Sequence, residues 1–440
     1  MKSFSSSSFA SSHAEALDLA FAAVQNDPQA LFTNFQWFLY AGKDTIFFTA
    51  FSREKFDKQK LKDLASQVVG LAPQLTHGFV GARPGHPFTE TQLDAITSVE
   101  MVDSFDGYPD KWLSKSADIF DHPDLPLFRF MAATRKDGPD GEGRYSVIQV
   151  RAAHCVLEGS DSALLSRSQT ANHGIQSNKS NKVTLGARVK GALQAGLGVA
   201  IHLFFAHILS PPDKPWGFKT LALRRSRLRD LANRLGVRQR SLYFALVTHA
   251  LHSDTDRRFN EEVITAAYTM LDTKRTDADD DFFRVRALQA KFPYKADFIE
   301  YARGVDDALS AIENNDITSF QVRVLALFAM HRKLQKWFPF LYGPRFWRFS
   351  GRTDTVLTLV PPHRTFGPVT NWMMEPIYCG AYHSASNITT FCPGREYMTL
   401  NFAMEQRVID IVDRVEPLLA RIEAMDVPPS SRPTPVEVDA

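Results

Sequence analysis

The residues best suited by type and spacing to do chemistry are His154, Glu158 and Gly159, in the stretch Ala-His-Cys-Val-Leu-Glu-Gly of Ala153–Gly159. The run before it alternates, so Ile148, Val150, Ala152 and His154 share one face of a strand. With Ile148 and Val150 in a core, His154 ends the strand pointing inward. An imidazole titrates near neutral pH, as a general base must. Glu158 is suited to hold the following loop through an arginine. Gly159 permits a sharp turn ahead of a helix capped by Ser160 or Asp161. The same spacing fits a structural histidine buried at a strand end, and spacing alone leaves both readings open. Cys155 alternates to the opposite face and is not expected to act as a nucleophile.

Other clusters have simpler explanations. His252 and Asp256 lie four apart at a helix end in a polar run, which reads as a surface C-terminus. Asp277–Asp281 lacks the Gly and Glu of a calcium loop and reads as a solvated turn, so no metal site is expected. Ser52 and Lys55 fit SxxK, a pattern too short to carry weight. GxGxxG after a strand, GxxxxGK[ST], HExxH and GxSxG are all absent, which argues against dinucleotide, P-loop, zincin and α/β-hydrolase chemistry.

The elements that must position His154 follow from periodicity. Thr45–Phe51, Leu127–Ala133 and Arg144–His154 read as strands, the last two joined through the turn-rich Arg135–Gly143 into a hairpin. Gln36–Tyr40 also reads as a strand. Phe56–Val69 is amphipathic, with Phe56, Leu61, Leu64, Ala65 and Val68 on one helical stripe. Ala14–Gln25 is a short helix, Asp161–Ser168 begins another, and Asn172–Lys182 is an exposed polar loop. Further on, Phe218–Leu223 is a strand. Ser226 is expected to cap the helix Arg227–Leu235, and Gly236 to end it. Ser241–His252, Ala302–Asn314, Ser319–Trp337 and Val408–Met425 read as helices. Thr355–Val360, Ala385–Cys392 and Met398–Met404 read as strands. Strands mix with helices in both halves, so the expected fold is α/β with two layered domains. Their expected limits are a disordered Ser-rich arm over 1–13, domains over 14–190 and 217–427, an apolar crossover linker over 191–216 and a tail over 428–440.

Composition sets the outer bounds. The chain has 440 residues, comfortable for two domains, and a net charge of +2, which excludes a general polyanion binder. Hydrophobic residues make up 44%, which excludes a mostly disordered chain. Three cysteines without a CxxC pair point to a reducing compartment, the cytoplasm. Charge is locally uneven: between Lys214 and Arg240 lie nine basic residues and one acid, Asp230. Part of this cluster reads as a solvated helix face. Otherwise it suits a phosphate-bearing cosubstrate, an acidic carrier protein or anionic lipid headgroups; no nucleic-acid motif accompanies it. Gly191–Leu209 carries no charged side chain. It reads first as a buried helix or linker and second as an interfacial helix with Arg188 and Lys190 at its start. Its Gln, its two histidines and the prolines after it argue against a spanning helix.

Ala153–Gly159 resembles a degraded HHxxxDG motif, the mark of acyltransferases with the chloramphenicol acetyltransferase-like fold, which include wax ester synthase/diacylglycerol acyltransferases, plant acyl-CoA-dependent acyltransferases and peptide-synthetase condensation domains. Other segments resemble the wax ester synthase branch in order: Pro126–Arg129, Leu221–Gly236, Ser241–His252, Gly367–Asn371, Ile388–Gly394 and Met398–Met404. The departures are specific. Ala153 stands for the first His, Glu158 for the Asp and Arg240-Ser241 for Asn-Asp, and DFGWG is absent. The resemblance implies two mixed-sheet sandwich domains with a channel between them. At its midpoint His154 would act as general base, supported structurally by Glu158 and Gly159. It implies acyl transfer from an acyl-CoA or acyl carrier protein thioester to a hydroxyl or amine of a lipid-like acceptor. The thioester is a cosubstrate, and no permanently bound cofactor is implied. Arg225 and Arg229 would be candidates to meet its phosphates or the carrier. The expected location is cytoplasmic, with peripheral contact at the inner membrane face. Two alternatives stay open: a non-catalytic lipid- or carrier-binding relative, and a condensation-type amide-forming enzyme.

Overall fold

The computed structural model describes residues 34–41, 43–71, 73–76, 78–81, 86–113, 119–156, 216–252, 263–271, 285–313, 354–360, 372–382, 387–406 and 408–425, with helical pieces between 185 and 200. The described strands form two mixed sheets. The first holds β1 (Thr45–Ser52), β2 (Thr97–Val102), β3 (Phe128–Arg135), β4 (Ser146–Ala153) and β9 (Met373–Tyr382), in the order β2-β3-β4-β1-β9. The second holds β5 (Trp216–Arg224), β6 (Val263–Leu271), β7 (Val285–Pro293), β8 (Thr355–Leu359), β10 (Ile388–Pro393) and β11 (Tyr397–Glu405), in the order β5-β11-β10-β8-β6-β7. β2–β3, β6–β8 and β8–β10 pair parallel and the rest antiparallel. The expected two-sheet α/β architecture is therefore the observed one. The first sheet, however, is not built from the first half of the chain alone, because β9 returns to pair with β1.

Periodicity explains the layers. Along β4, Ile148 and Ala152 face the same side as Phe128, Phe130 and Ala132 of β3, through the pairs Ile148↔Ala132 and Ala152↔Phe128. That side packs on helix α2 (Lys58–Leu71), whose Leu61, Leu64, Ala65 and Val68 are buried. The second sheet presents Leu223, Leu357, Phe391, Leu400 and Phe402 to helices α5 (Arg225–Leu235), α6 (Gln239–His252), α7 (Phe298–Glu313) and α8 (Val412–Glu423). A part-buried ion cluster ties α7 to the start of α6. Arg238 pairs with Asp306 and Glu313, each at 2.7 Å, and Ser241 Oγ donates to Asp306 at 2.5 Å.

The opposite face of the second sheet is rich in threonine, and β9 supplies the reason. As an edge strand it has backbone groups that β1 cannot satisfy. Thr399 Oγ1 donates to Ile377 O at 2.7 Å, and Ala381 N–H donates to Thr390 Oγ1 at 3.3 Å. The Glu375 carboxylate accepts from the backbone N–H of Arg395, Glu396 and Tyr397, at 2.5, 2.8 and 3.2 Å, where β10 turns into β11. The first sheet thus docks by its edge onto a face of the second, and hydroxyls close the edge.

Several expectations need correction. Gln36–Tyr40 is not a strand but part of the helix Asn34–Ala41. A five-residue apolar run has no decisive period. What settles it is the helix end: Lys43 takes φ +54°, and the N–H groups of Lys43 and Asp44 return to the carbonyls of Tyr40 and Leu39. Ser226 caps nothing. Helix α5 starts at Arg225 without a side-chain cap, because the chain passes straight from β5 into the helix. Gly236 ends α5 as expected, at φ 67°. β2, β6, β7 and β9 were not legible as strands, nor was the short helix Glu90–Ile96, although Thr89 and Gln92 form a capping box there. The readings at 1–13, Ala14–Gln25, Glu158, Gly159, Asp161–Ser168, Asn172–Lys182, Asp277–Asp281, Ser319–Trp337, Gly367–Asn371 and 428–440 lie outside the described residues.

Candidate active site

Strand β4 occupies the middle of the first sheet and ends at Ala153, one residue short of the expected end, so His154 is the first residue of a turn. That turn is anchored on both sides. Ala153 N–H donates to Leu127 O at 2.8 Å, beside the start of β3. His154 N–H donates to Asp44 O at 2.8 Å, just before β1. Val156 N–H closes the turn onto Ala153 O at 3.1 Å. His154 is half-buried, between a fully buried Ala153 and a fully buried Cys155. The position where the resembling family carries its first His is here a packed core site. Cys155 joins the same apolar cluster as Ala153 and Val156, and burial pushes its thiol up, which disfavours the nucleophilic thiolate.

The registers tie this turn to the second sheet. Thr45 stands between Ala153 of β4 and Tyr382 of β9. The Tyr382 ring packs on Trp216 and Phe218 of β5, with centroids 5.7 and 5.6 Å away. Further along β5, Thr220 donates to the Asp110 carboxylate at 2.9 Å. The sheet end that carries His154 is therefore an end at which the two sheets meet.

Two polar features escaped the sequence reading. Asp44, whose backbone carbonyl accepts from His154 N–H just beyond the β1–β4 ladder, is buried and has its carboxyl pushed well up by loss of solvent. Its only sequence signal is an acid placed directly before an apolar strand. On the other face of β4, Arg151 and Gln149 are buried. Arg151 donates to Trp112 O and to Gln149 Oε1, and Gln149 donates to Thr49 Oγ1 at 3.0 Å. Their alternation with Ile148, Val150 and Ala152 was visible in sequence, but it did not reveal that the second face is buried too.

The basic cluster is mostly internally matched. Lys219 pairs with Asp410 and Asp413, Arg227 with Glu416 and Glu423, and Arg238 and Arg240 with Glu313. Arg234 donates to the carbonyls of Ile422 and Glu423. Of the two residues singled out, Arg225 donates to Gly394 O at 3.1 Å, holding the β10–β11 turn. Arg229 is exposed, and its nearest acid is Asp230 at 3.7 Å. Leu185 and Val189, just before the apolar linker, and Leu193 and Leu197 within it are exposed, four residues apart. Among the described residues no helix is long and apolar enough to cross a membrane.

No family model matches the chain, and no curated protein matches it. Solved structures do. A trichothecene 15-O-acetyltransferase from Fusarium sporotrichioides is similar over 89% of this chain and 95% of its own, at 10% identity and a TM-score of 0.54. The cyclization-docking bidomain of a nonribosomal peptide synthetase from Sorangium cellulosum is similar over 90% of this chain and 85% of its own, at 11% identity and a TM-score of 0.50. A second nonribosomal peptide synthetase, solved with α-methyl-L-serine-AMP bound, matches 89% of this chain at 14% identity and a TM-score of 0.50, and this chain spans 44% of its length. The likeness is one of fold alone, shared with an acetyltransferase and with peptide-synthetase chains.

Proposed function

We propose that this protein is an acyltransferase that moves an acyl group from a coenzyme A or carrier-protein thioester to a hydroxyl or amine, with His154 as general base. The observation that carries the reading is the anchored, half-buried His154 turn at the end of a central strand, where the two sheets meet, in a fold shared with an acetyltransferase. His154 takes the proton of the acceptor as its oxygen or nitrogen attacks the thioester carbonyl. The carbon–sulfur bond then breaks, and the proton passes to the departing thiolate. The resemblance to the HHxxxDG motif gives Glu158 and Gly159 a supporting role for His154. Arg229, the exposed cation of α5, is offered to the phosphates of the thioester or to an acidic carrier. A lipid-like acceptor is the finer reading, and it rests on the apolar linker and on the resemblance to wax ester synthases. A condensation-type reaction differs only in an amine acceptor.

The packed Ala153 favours a second reading, a binder that keeps the fold and the thioester or lipid but does no chemistry. Lipid and peptide profiling of cells lacking the protein, against cells expressing wild type or His154→Ala, identifies the product. With purified protein and that acceptor, His154→Ala is expected to lose about 10²–10⁴-fold in turnover. Equal turnover by both proteins would place the base elsewhere. Tight binding by both without turnover would establish the binder.

A further inference from the structure

Where the edge of the first sheet meets the second, two thiols face each other. Cys379 lies on β9 and Cys392 on β10, and both are buried. Their side chains pack in one buried cluster. Phe48, Val150 and Val360 close around them. Cys379 pairs with Phe48, and Phe48 with Val150, so the thiol pair sits on one rung of the first sheet. That rung is four residues from the backbone bond between His154 and Asp44, roughly 13 Å along the strand. The third cysteine, Cys155, lies in a separate core cluster.

We propose that Cys379 and Cys392 form an oxidation site that a small disulfide converts into a covalent bridge between the two sheets. The thiolate of one cysteine attacks the small disulfide, forming a mixed disulfide and releasing one small thiol. The thiolate of the other attacks the protein sulfur of that mixed disulfide and releases the second small thiol. Two protein thiols are oxidised, one small disulfide is reduced to two thiols, and two protons are carried away. Sulfurs in a disulfide are about 2.05 Å apart, against roughly 4 Å for non-bonded contact, so closure draws β9 and β10 together by up to ~2 Å. The geometry favours closure because the partner thiol is already in contact and no strand has to leave its sheet. Burial opposes the first step, because it pushes the Cys379 thiol up and shields both sulfurs from reagent. Oxidation is therefore slow at neutral pH and speeds up about tenfold per pH unit as the thiolate fraction grows.

The test incubates the folded, full-length chain with oxidised glutathione from neutral to alkaline pH, then denatures and alkylates it. No Lys or Arg separates Cys379 from Cys392, so trypsin leaves both in one peptide. That peptide is expected two hydrogens lighter and unalkylated, with Cys155 alkylated as the one remaining thiol. Cys155→Ser is expected to close as wild type does. Cys379→Ala and Cys392→Ala are each expected to leave an alkylatable or glutathionylated thiol. Closure is expected to raise the thermal midpoint of wild type by a few degrees and to leave both alanine variants unmoved. Full alkylation of Cys379 and Cys392 after alkaline treatment overturns the proposal, as does glutathione retained on both without closure. The experiment needs no substrate, so its result is independent of the acyl-transfer reading.

Discussion

At the scale of single residues, the turn after β4 brings a half-buried imidazole beside a residue with a buried carboxyl, Asp44, just before the neighbouring strand. The Asp44 carboxyl is held above its ordinary range by burial, so in the folded chain it keeps its proton where an unfolded chain has lost it. Such a group favours folding fully below the ordinary carboxylate value of about 4, and the advantage is lost as pH rises towards the folded value. Asp44→Asn, which is neutral throughout, is therefore expected to match wild type in acid and to melt higher at neutral pH. Thermal unfolding followed across this range checks it; a lower midpoint at neutral pH would mean that the ionised carboxylate is the stabilising form. His154→Ala, by contrast, removes a half-buried side chain from a turn held by backbone bonds. Its thermal midpoint is expected to stay close to wild type, so that lost turnover reads as lost chemistry.

At the scale of elements, two contacts set the geometry around the site. Phe47 of β1 lies directly opposite Gly380 of β9, and its ring occupies the space a side chain would fill: a Cβ at residue 380 would stand 2.2 Å from the ring. The glycine lets the aromatic ring lie over the strand that joins the two halves of the chain. Gly380→Ala is expected to cost about 1–3 kcal/mol through overpacking. Adding Phe47→Leu should recover part of that loss in a denaturant titration. If the two changes simply add, the ring does not rest on the glycine. Helix α5 is the second case. Most of its cations and those flanking it are spent on α8, α7 and nearby backbone carbonyls, which leaves Arg229 as the one to test. Arg229→Glu is expected to raise KM for the thioester with little change in kcat, and added salt should produce the same rise in wild type. Kinetics unmoved by both would make α5 a solvated face.

At the scale of the whole molecule, the decisive feature is that one sheet meets another by its edge. Bare strand edges leave backbone groups unpaired; here threonine hydroxyls pair them, and the Glu375 carboxylate of the edge strand holds the β10–β11 turn. Thr399 reaches Ile377 O and also lies 3.4 Å from Cys392 O, so a single hydroxyl spans β9, β10 and β11. Thr399→Val keeps the shape and deletes the donor. It is expected to cost about 1–3 kcal/mol, the penalty of a buried acceptor left without its partner, while Thr399→Ser recovers most of it. Urea unfolding of the three proteins decides the matter. Equal stability for Val and Thr would remove the hydroxyl from any part in joining the sheets.

The amino-acid sequence by itself determined a good deal. Alternation marked β1, β3 and β4, the stripe of Leu61, Leu64, Ala65 and Val68 marked α2, and Gly236 marked the end of α5, because each depends on neighbours within a few residues. His154 was singled out for the same local reason, an apolar strand before it and an acid and a glycine after it. What only the tertiary structure decided involves residues far apart in the chain. β9 carries a proline and no clean alternation, and it becomes a strand because β1 accepts it across more than half the chain. Asp44 is unusual because the fold buries it, and Lys219, Arg227, Arg238 and Arg240 of the charge run at Lys214–Arg240 are matched by acids of α7, α8 and the turn before α8, which no local count could see. The contact between Cys379 and Cys392 is of this kind as well. They are near in sequence, but their thiols meet because two different sheets bring them together.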